Sequence, residues 1–356
     1  MDTLSAPISA PVREVVAAHR FDQARLEAYL RRHIPDLGDG FQVRQFQGGA
    51  SNPTFLLSTR GAEGTRHYVL RKKPPGQLLS SAHQVDREYR VMKALEGSGV
   101  PVPHMRCLCD DPEVIGTSFY VMDYLEGRIF RDATLPDLSP ADRAAVYDQL
   151  NATLAKLHQV DFKAVGLEDY GKAGAYFERQ AARWIRQYRG AETDSIPAME
   201  ALIEALPAMI PPDDSVSIAH GDYRLENVMF HPTEPRLIAV LDWELSTIGH
   251  PLADIAYNAF MWRSHSLSWG SLDGVDFTTS GIPTEAAYVD AYCKRTGRSG
   301  IADWNFYVAF GIFRLASISQ GVYRRTLDGV LATEREAING TPALAAQALD
   351  ILRGEG

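Results

Sequence analysis

The spacing of apolar residues changes twice along this chain. From Asp22, a suitable N-cap, apolar positions recur at Leu26, Tyr29, Leu30 and Ile34, which is the spacing of one helical face. The period then shortens. Phe41, Val43 and Phe46 alternate with polar residues, residues 47–52 read as a loop, and Thr54 to Leu57 reads as a strand. A turn over Gly61 to Thr65 leads into a further strand at Tyr68 to Arg71. These turns are too short for crossover helices, so an antiparallel meander is expected. A helix is predicted over 81–97, with Val85, Tyr89, Met92 and Leu95 on one face and Gly97 and Gly99 stopping it. An extended link at 100–103 and a buried strand at Phe119 to Met122 follow. From about Ser139 the pattern turns helical and stays so, over 139–158 first and over 286–295 and 304–325 near the end.

This order predicts an α+β chain with a loose tail over 1–21, a sheet-and-helix lobe over 22–123 and a mainly helical lobe over 124–356. The boundary falls at the composition break of 123–127. The length of 356 residues suits two such lobes, and with 45% apolar and 23% charged residues the core needs no staple. A net charge of −9 speaks against binding nucleic acid or an anionic membrane surface without specificity, though not against a local anion site. Three cysteines, Cys107, Cys109 and Cys293, are too few and too unevenly placed for a disulfide framework or a zinc cluster, and read as plain structural thiols. No leader pattern and no apolar run near ~18 residues is found, so a cytoplasmic setting is expected.

The chemistry concentrates between Ser217 and Glu244. His220-Gly221-Asp222 is followed, after a gap of four residues, by Asn227, and two apolar runs, 228–230 and 237–241, flank a turn at Pro232 to Pro235. A hairpin built from those runs would bring Asn227 and Asp242 to its same end. An amide oxygen and a carboxylate there suit Mg²⁺, which prefers hard oxygen donors and keeps waters and phosphates as further ligands. Asp222, in the loop before, is placed to accept a hydroxyl proton or to orient the attacking oxygen. Taken singly, each of these residues is more often a turn, a cap or a strand-end acid; the spacing of all of them favours a phosphoryl-transfer site.

The pattern resembles the aminoglycoside phosphotransferase and choline kinase-like family, whose H-G-D-x-x-x-x-N loop and metal-binding Asp are kin to the protein-kinase H-R-D and D-F-G signatures. Gly48 to Asn52, Val69 to Gly76, Asp86 to Tyr89 and Asp242 to Glu244 are closer still to the branch that includes the kinase-like domain of acyl-CoA dehydrogenase family members 10 and 11. The resemblance covers about residues 20 to 340. It implies a bilobal protein-kinase-like fold with ATP and Mg²⁺ as cofactors, Asp222 as the catalytic residue and Asn227 and Asp242 as metal ligands. It also implies His220 and Asp254 as the scaffold of the catalytic loop. For the nucleotide it implies the loop residues Gly48, Gly49, Ser51 and Asn52, Val69 and Arg71 on one strand face, Glu88 as the partner of Arg71, and Met122 and Tyr124 in the hinge. Arg71 stands where a lysine is usual, and Lys72 or Lys73 would replace it only after a register change.

Only eleven residues separate Asp242 from Asp254, which leaves little room for a peptide-binding activation segment, so a small hydroxylated acceptor is expected. Glu244, Arg314, Tyr323 and Arg324 are the acceptor-side candidates, and Arg324 with Arg325 offers an anion site. The branch implies a hydroxyacyl-CoA or related hydroxy acid. An aminoglycoside acceptor and a nucleotide-binding pseudokinase are the alternatives, the first weakened by the scattered acids of 260–330 and the second by the retained Asp222, Asn227 and Asp242. A monomer and a homodimer both fit such a chain.

Overall fold

The computed structural model describes residues 10–47, 52–62, 64–74, 84–265, 270–329 and 338–355. Within them the chain forms two compact units, one of residues 1–129 and 226–246, the other of 130–225 and 247–356. The 226–246 segment, which the sequence pattern alone leaves with the helical part, groups with the sheet.

Residues 12 and 13, read from sequence as part of a loose tail, form β1 (Val12–Arg13) and pair with Phe46 and Gln45. A two-residue strand has no period to detect. In α1 (Gln23–His33) the Asp22 carboxylate caps the first turn by accepting the N–H groups of Ala24 and Arg25, both at 3.0 Å. Leu26 and Leu30 are fully buried, each stabilising the packing by roughly 2 kcal/mol. The strands β2 (Asp39–Phe46), β3 (Thr54–Gly61) and β4 (Gly64–Lys72) form the expected meander. After α2 (Val85–Leu95) come β5 (Met105–Cys109), the short α3 (Pro112–Ile115) and β6 (Phe119–Asp123). The sheet order is β1-β2-β3-β4-β6-β5, antiparallel throughout.

The period of two sorts the two faces. Phe55, Leu57, Tyr68, Leu70, Cys107, Phe119 and Val121 pack with Leu26 and Leu30 of α1 and with Ile34 just after it. Arg71 and Tyr120 lie on the opposite face, where α2 supplies Glu88. On α2 the buried positions are Val85, Glu88, Val91, Met92 and Leu95, and Tyr89 is only half-buried. The strand β5 has no counterpart in the sequence reading; its inward positions are Met105, Cys107 and Cys109. All three cysteines are buried free thiols.

The second unit begins with α4 (Pro140–His158), where the Ser139 hydroxyl caps the Asp142 N–H and Leu150, Leu154 and Leu157 are buried. Then follow α5 (Tyr176–Ala191), α6 (Pro197–Ala208) and β7 (Ser217–Ala219). The chain crosses into the first unit for β8 (Val228–Phe230) and β9 (Leu237–Val240), an antiparallel hairpin pairing Val228 with Val240 and Met229 with Ala239. Gly127 lies against this hairpin. A Cβ there would stand 2.5 Å from the Phe230 carbonyl oxygen and inside the Met229 side chain, so only glycine fits. The chain returns to the second unit with β10 (Thr247–Gly249), paired with β7, and continues through α7 (Pro251–Ala259), α8 (Glu285–Thr296), α9 (Trp304–Leu327) and α10 (Thr341–Arg353). Phe306, Phe310 and Phe313 of α9 are core residues, as their spacing predicts; Ile318 is only half-buried.

Candidate active site

In the first unit the hairpin sets the geometry. The Leu241 N–H donates to the Asn227 carbonyl oxygen at 2.8 Å, closing one end of the β8–β9 pair with Asn227 and Asp242 both at that end. Asp242 takes a left-handed backbone, φ 60° and ψ 63°, which turns its side chain out of the strand line. Such a conformation in a non-glycine residue costs about 1 kcal/mol or more and persists where its surroundings fix it. Here the fixing comes from the next turn. Trp243 is fully buried with its indole N–H on the Val240 carbonyl at 3.0 Å, and Ser246 closes the turn through N–H and hydroxyl bonds to the Trp243 carbonyl at 3.1 and 2.6 Å.

Around Arg71 three carboxylates converge. One guanidinium nitrogen lies 3.0 Å from Asp242 Oδ1 and 3.8 Å from Glu244 Oε2, and its Nε lies 3.4 Å from Glu88 Oε2. The last is an ion-pair distance without hydrogen-bond geometry. Burial works against the Arg71 charge, but the Tyr120 oxygen and the carboxylates of Glu88 and Asp242 more than offset it and keep the guanidinium charged. Glu88 is wholly buried and accepts the Asn52 amide at 2.8 Å and the Tyr120 hydroxyl at 3.0 Å. Burial pushes its carboxyl up, to about 7, against the opposing pull of Arg71. No register change brings in a lysine. Lys72 points to the other face, 6.0 Å from the Phe55 ring, and Lys73 lies 3.5 Å from Asp86.

The donors Asn227 and Asp242 are hard oxygens and suit Mg²⁺. Among the described residues no three His, Cys, Asp or Glu side chains gather as a complete cage, so a cation held here would complete its shell with water and nucleotide oxygens. Of the other nucleotide candidates, Val69 pairs with Met122 across β4 and β6. The Tyr124 N–H donates to the His67 carbonyl at 3.3 Å and that of Asp123 to the His104 carbonyl at 2.9 Å. Gly48, Gly49 and Ser51 lie outside the described residues. Glu244, placed on the acceptor side by sequence, stands in the first unit beside Arg71.

In the second unit α7 grips the His220–Tyr223 loop with one face. Asp254 is buried and accepts the His220 N–H at 2.6 Å and the Gly221 N–H at 2.8 Å on different oxygens. Behind it stands His158, with Nε2 at 3.3 Å from Asp254 and Nδ1 at 2.7 Å from the Tyr292 hydroxyl. Burial alone would raise the Asp254 pKa; the His158 bond, the nearby histidine rings and the Gly221 N–H overcome it and hold the carboxyl below its ordinary value. Three residues on, the Tyr257 hydroxyl donates to Asp222 Oδ1 at 2.6 Å, and at the next position the Asn258 amide donates to the Tyr223 carbonyl at 3.3 Å. The spacings i, i+3 and i+4 put all three on one helical face. The ring of His220 is buried and accepts the Asp222 N–H at 3.2 Å, the geometry of a scaffold residue. Arg224 reaches within 3.8 Å of Asp222 Oδ1.

The sequence reading did not single out Tyr257, Asn258, His158 or Tyr292. Tyr257 had a usable signal, its position one turn after Asp254. Among the acceptor-side candidates, Arg314 lies over the rings of Trp184 and Tyr257, Tyr323 is half-buried, and Arg324 is exposed and bonded to Asp328 one turn on, at 3.1 Å. Gln320 serves structure, donating to the Ala191 carbonyl and the Thr193 hydroxyl.

The sheet-bearing first unit and the mainly helical second unit give a bilobal, protein-kinase-like α+β fold. The chain belongs to the phosphotransferase enzyme family, which matches residues 42–304. Mouse acyl-CoA dehydrogenase family member 10 is 44% identical over 359 residues, covering 99% of this chain and 33% of the mouse protein. Human acyl-CoA dehydrogenase family member 11 is 45% identical over 331 residues, 90% of this chain and 41% of the human one. The chain thus spans between a third and about two fifths of the length of these relatives. An aminoglycoside-phosphotransferase-like chain from Ralstonia eutropha JMP134 superposes with a TM-score of 0.86 at 45% identity, covering 94% of this chain and 99% of that one. Choline kinase from Cryptosporidium parvum shares the fold at a TM-score of 0.62 and 13% identity, over 94% of this chain and 95% of its own.

Proposed function

We propose that the chain is a cytoplasmic, ATP- and magnesium-dependent kinase that moves the γ-phosphate to a hydroxyl of a small molecule, with a hydroxyacyl-CoA or related hydroxy acid as acceptor. The observation that carries this reading is the end of the β8–β9 hairpin, where Asn227 and Asp242 stand together and Arg71 reaches Asp242 from the sheet. Asp222 takes the hydroxyl proton as the acceptor oxygen bonds to the γ-phosphorus and the bond to the β-phosphate oxygen breaks, releasing ADP. Tyr257 fixes one oxygen of Asp222, and α7 fixes the backbone on which Asp222 rides. Asn227 and Asp242 would hold magnesium, whose contribution is to neutralise phosphate charge. Arg71 from β4 and Glu88 from α2 serve the nucleotide half. The acyl acceptor is our inference from the names of the acyl-CoA dehydrogenase family members that this chain resembles over 33% and 41% of their length.

The test separates chemistry from binding. Asp222→Ala should abolish ADP release stimulated by an acceptor while Mg-ATP affinity, by calorimetry, stays within about twofold. Unchanged turnover in that variant would remove Asp222 from its role.

A further inference from the structure

We propose that Arg314 is an oxyanion-binding residue of the acceptor site, so that the acceptor carries a carboxylate or a phosphate monoester as well as a hydroxyl; this rests on the phosphotransferase reading above. Arg314 projects from α9 into a slot between two aromatic rings, its guanidinium carbon 5.5 Å from the Trp184 centroid and 5.3 Å from that of Tyr257. The rings lie beside the fork, and its N–H groups make no hydrogen bond to the described residues. Its Nε is buried and has no hydrogen-bond partner, and among the described residues no carboxylate pairs with it. A guanidinium stays charged at any working pH. Half-buried and, among the described residues, without a counter-ion, it presents five donors in a geometry that matches an oxyanion.

The surroundings add field of the same sign. Arg183 lies 5.1 Å from the same Trp184 ring, and Arg179, one turn earlier on α5, donates to the backbone carbonyls of Lys172 and Gly174. Burial raises the nearby Tyr176 hydroxyl to about 12, and Arg314, Arg183 and Arg179 all act against that rise. Such an arginine group is unexpected in a chain of net charge −9. It is also joined to the reacting residue. Tyr257 carries Arg314 against its ring and bonds Asp222 with its hydroxyl at 2.6 Å, so one tyrosine links the anion receptor to the hydroxyl acceptor. A polycationic acceptor would meet repulsion from this arginine group, whereas a hydroxylated anion would meet attraction.

The experiment compares matched acceptors on the full chain and on Arg314→Gln and Arg314→Lys. The carboxylate arm uses 3-hydroxybutyrate against its methyl ester; the phosphate arm uses glycerol 3-phosphate against glycerol. Binding is followed by calorimetry at fixed ionic strength and transfer by ADP release. At least one anion should bind about tenfold more tightly than its neutral partner. Arg314→Gln should erase that preference, Arg314→Lys should keep part of it, and the arm that responds names the oxyanion. The proposal fails if neither anion is preferred by the parent protein, or if Arg314→Gln weakens anionic and neutral partners equally. Melting curves of both variants separate this from a loss of fold, since Arg314→Lys retains the charge against Trp184. Arg314-dependent anion binding without ADP release would overturn the kinase reading alone, and ADP release with kanamycin unaffected by Arg314→Gln would overturn this one alone.

Discussion

Replacing Asp254 by asparagine tests the grip of α7 on the His220–Tyr223 loop while changing almost no volume. In the native arrangement both carboxylate oxygens accept backbone N–H groups, His220 on one and Gly221 on the other, and His158 adds a third donor. An asparagine has one acceptor oxygen, so whichever way the amide turns, its NH₂ group faces a backbone N–H. One buried charge-assisted bond is lost and a donor is left without an acceptor. Each such bond contributes about 1.5–3 kcal/mol, and an orphaned buried donor costs about 1–3 kcal/mol more. We expect a loss of roughly 3 kcal/mol and, at about 2–4 °C per kcal/mol, a fall in Tm of about 6–12 °C. The pH dependence should change as well. The Asp254 pKa is held below its unfolded value, so its stabilisation is fully present above about pH 4 and is lost as pH falls through the lower folded value. The parent should therefore lose stability on acidification in that range, and Asp254→Asn should lose less of it. Calorimetric melting between pH 3 and 7 measures both effects. A variant that melts within about 1 °C of the parent at pH 7 would refute the role given to these bonds.

Glu88→Gln leaves Arg71 buried without its nearest carboxylate on α2; we expect about 1–3 kcal/mol less stability and about tenfold weaker Mg-ATP binding by calorimetry. Tyr257→Phe keeps the ring under Arg314 and removes the bond to Asp222, so kcat should fall about tenfold with ATP affinity unchanged. Equal losses in kcat and ATP affinity would contradict that split. Gly127→Ala forces a methyl group against the Phe230 carbonyl and Met229, and should lower stability by about 1–3 kcal/mol in chemical denaturation.

Periodicity announced the parts of the fold whose signals are local. Asp22 is read as a helix start because a cap acts on the next three residues, and the β8–β9 hairpin is legible because its turn lies between two short apolar runs. What pattern missed depends on partners far along the chain. The two residues of β1 become a strand only because Gln45 and Phe46 offer an edge, and β5 is a strand through its pairing with β6. The site shows the same limit. Asp222, Asn227 and Asp242 stand in one motif, whereas Tyr257 bonds Asp222 from 35 positions away and His158 bonds Asp254 from 96. A lone tyrosine on an apolar helix reads as core until its hydroxyl partner is known. The fate of Glu88 shows the converse. As a helix carboxylate it could have been solvated, and its burial follows from Tyr120, Asn52 and Arg71 together.

Arg71 looked from sequence like the weakest point of the assignment, since a lysine is usual at that position of the strand. The structure supplies a physical reason for the exchange. A lysine ammonium is a point charge at the end of a flexible stem, well suited to one close partner. The space beside β4 holds three carboxylates, Glu88 from α2 and Asp242 and Glu244 from the turn after β9. A guanidinium can face Glu88 with Nε while another of its nitrogens meets Asp242 and Glu244, because its donors diverge in a plane. Glu244 is the member that a bare Asp motif lacks, and it is held in place by the buried Trp243 and the Ser246 bonds that close the same turn. The arginine on β4 and the Asp-Trp-Glu sequence are therefore two sides of one electrostatic arrangement. A third acid raises the local negative charge, and the spread, permanent charge of an arginine balances it where a single ammonium, subject to desolvation, would serve less well.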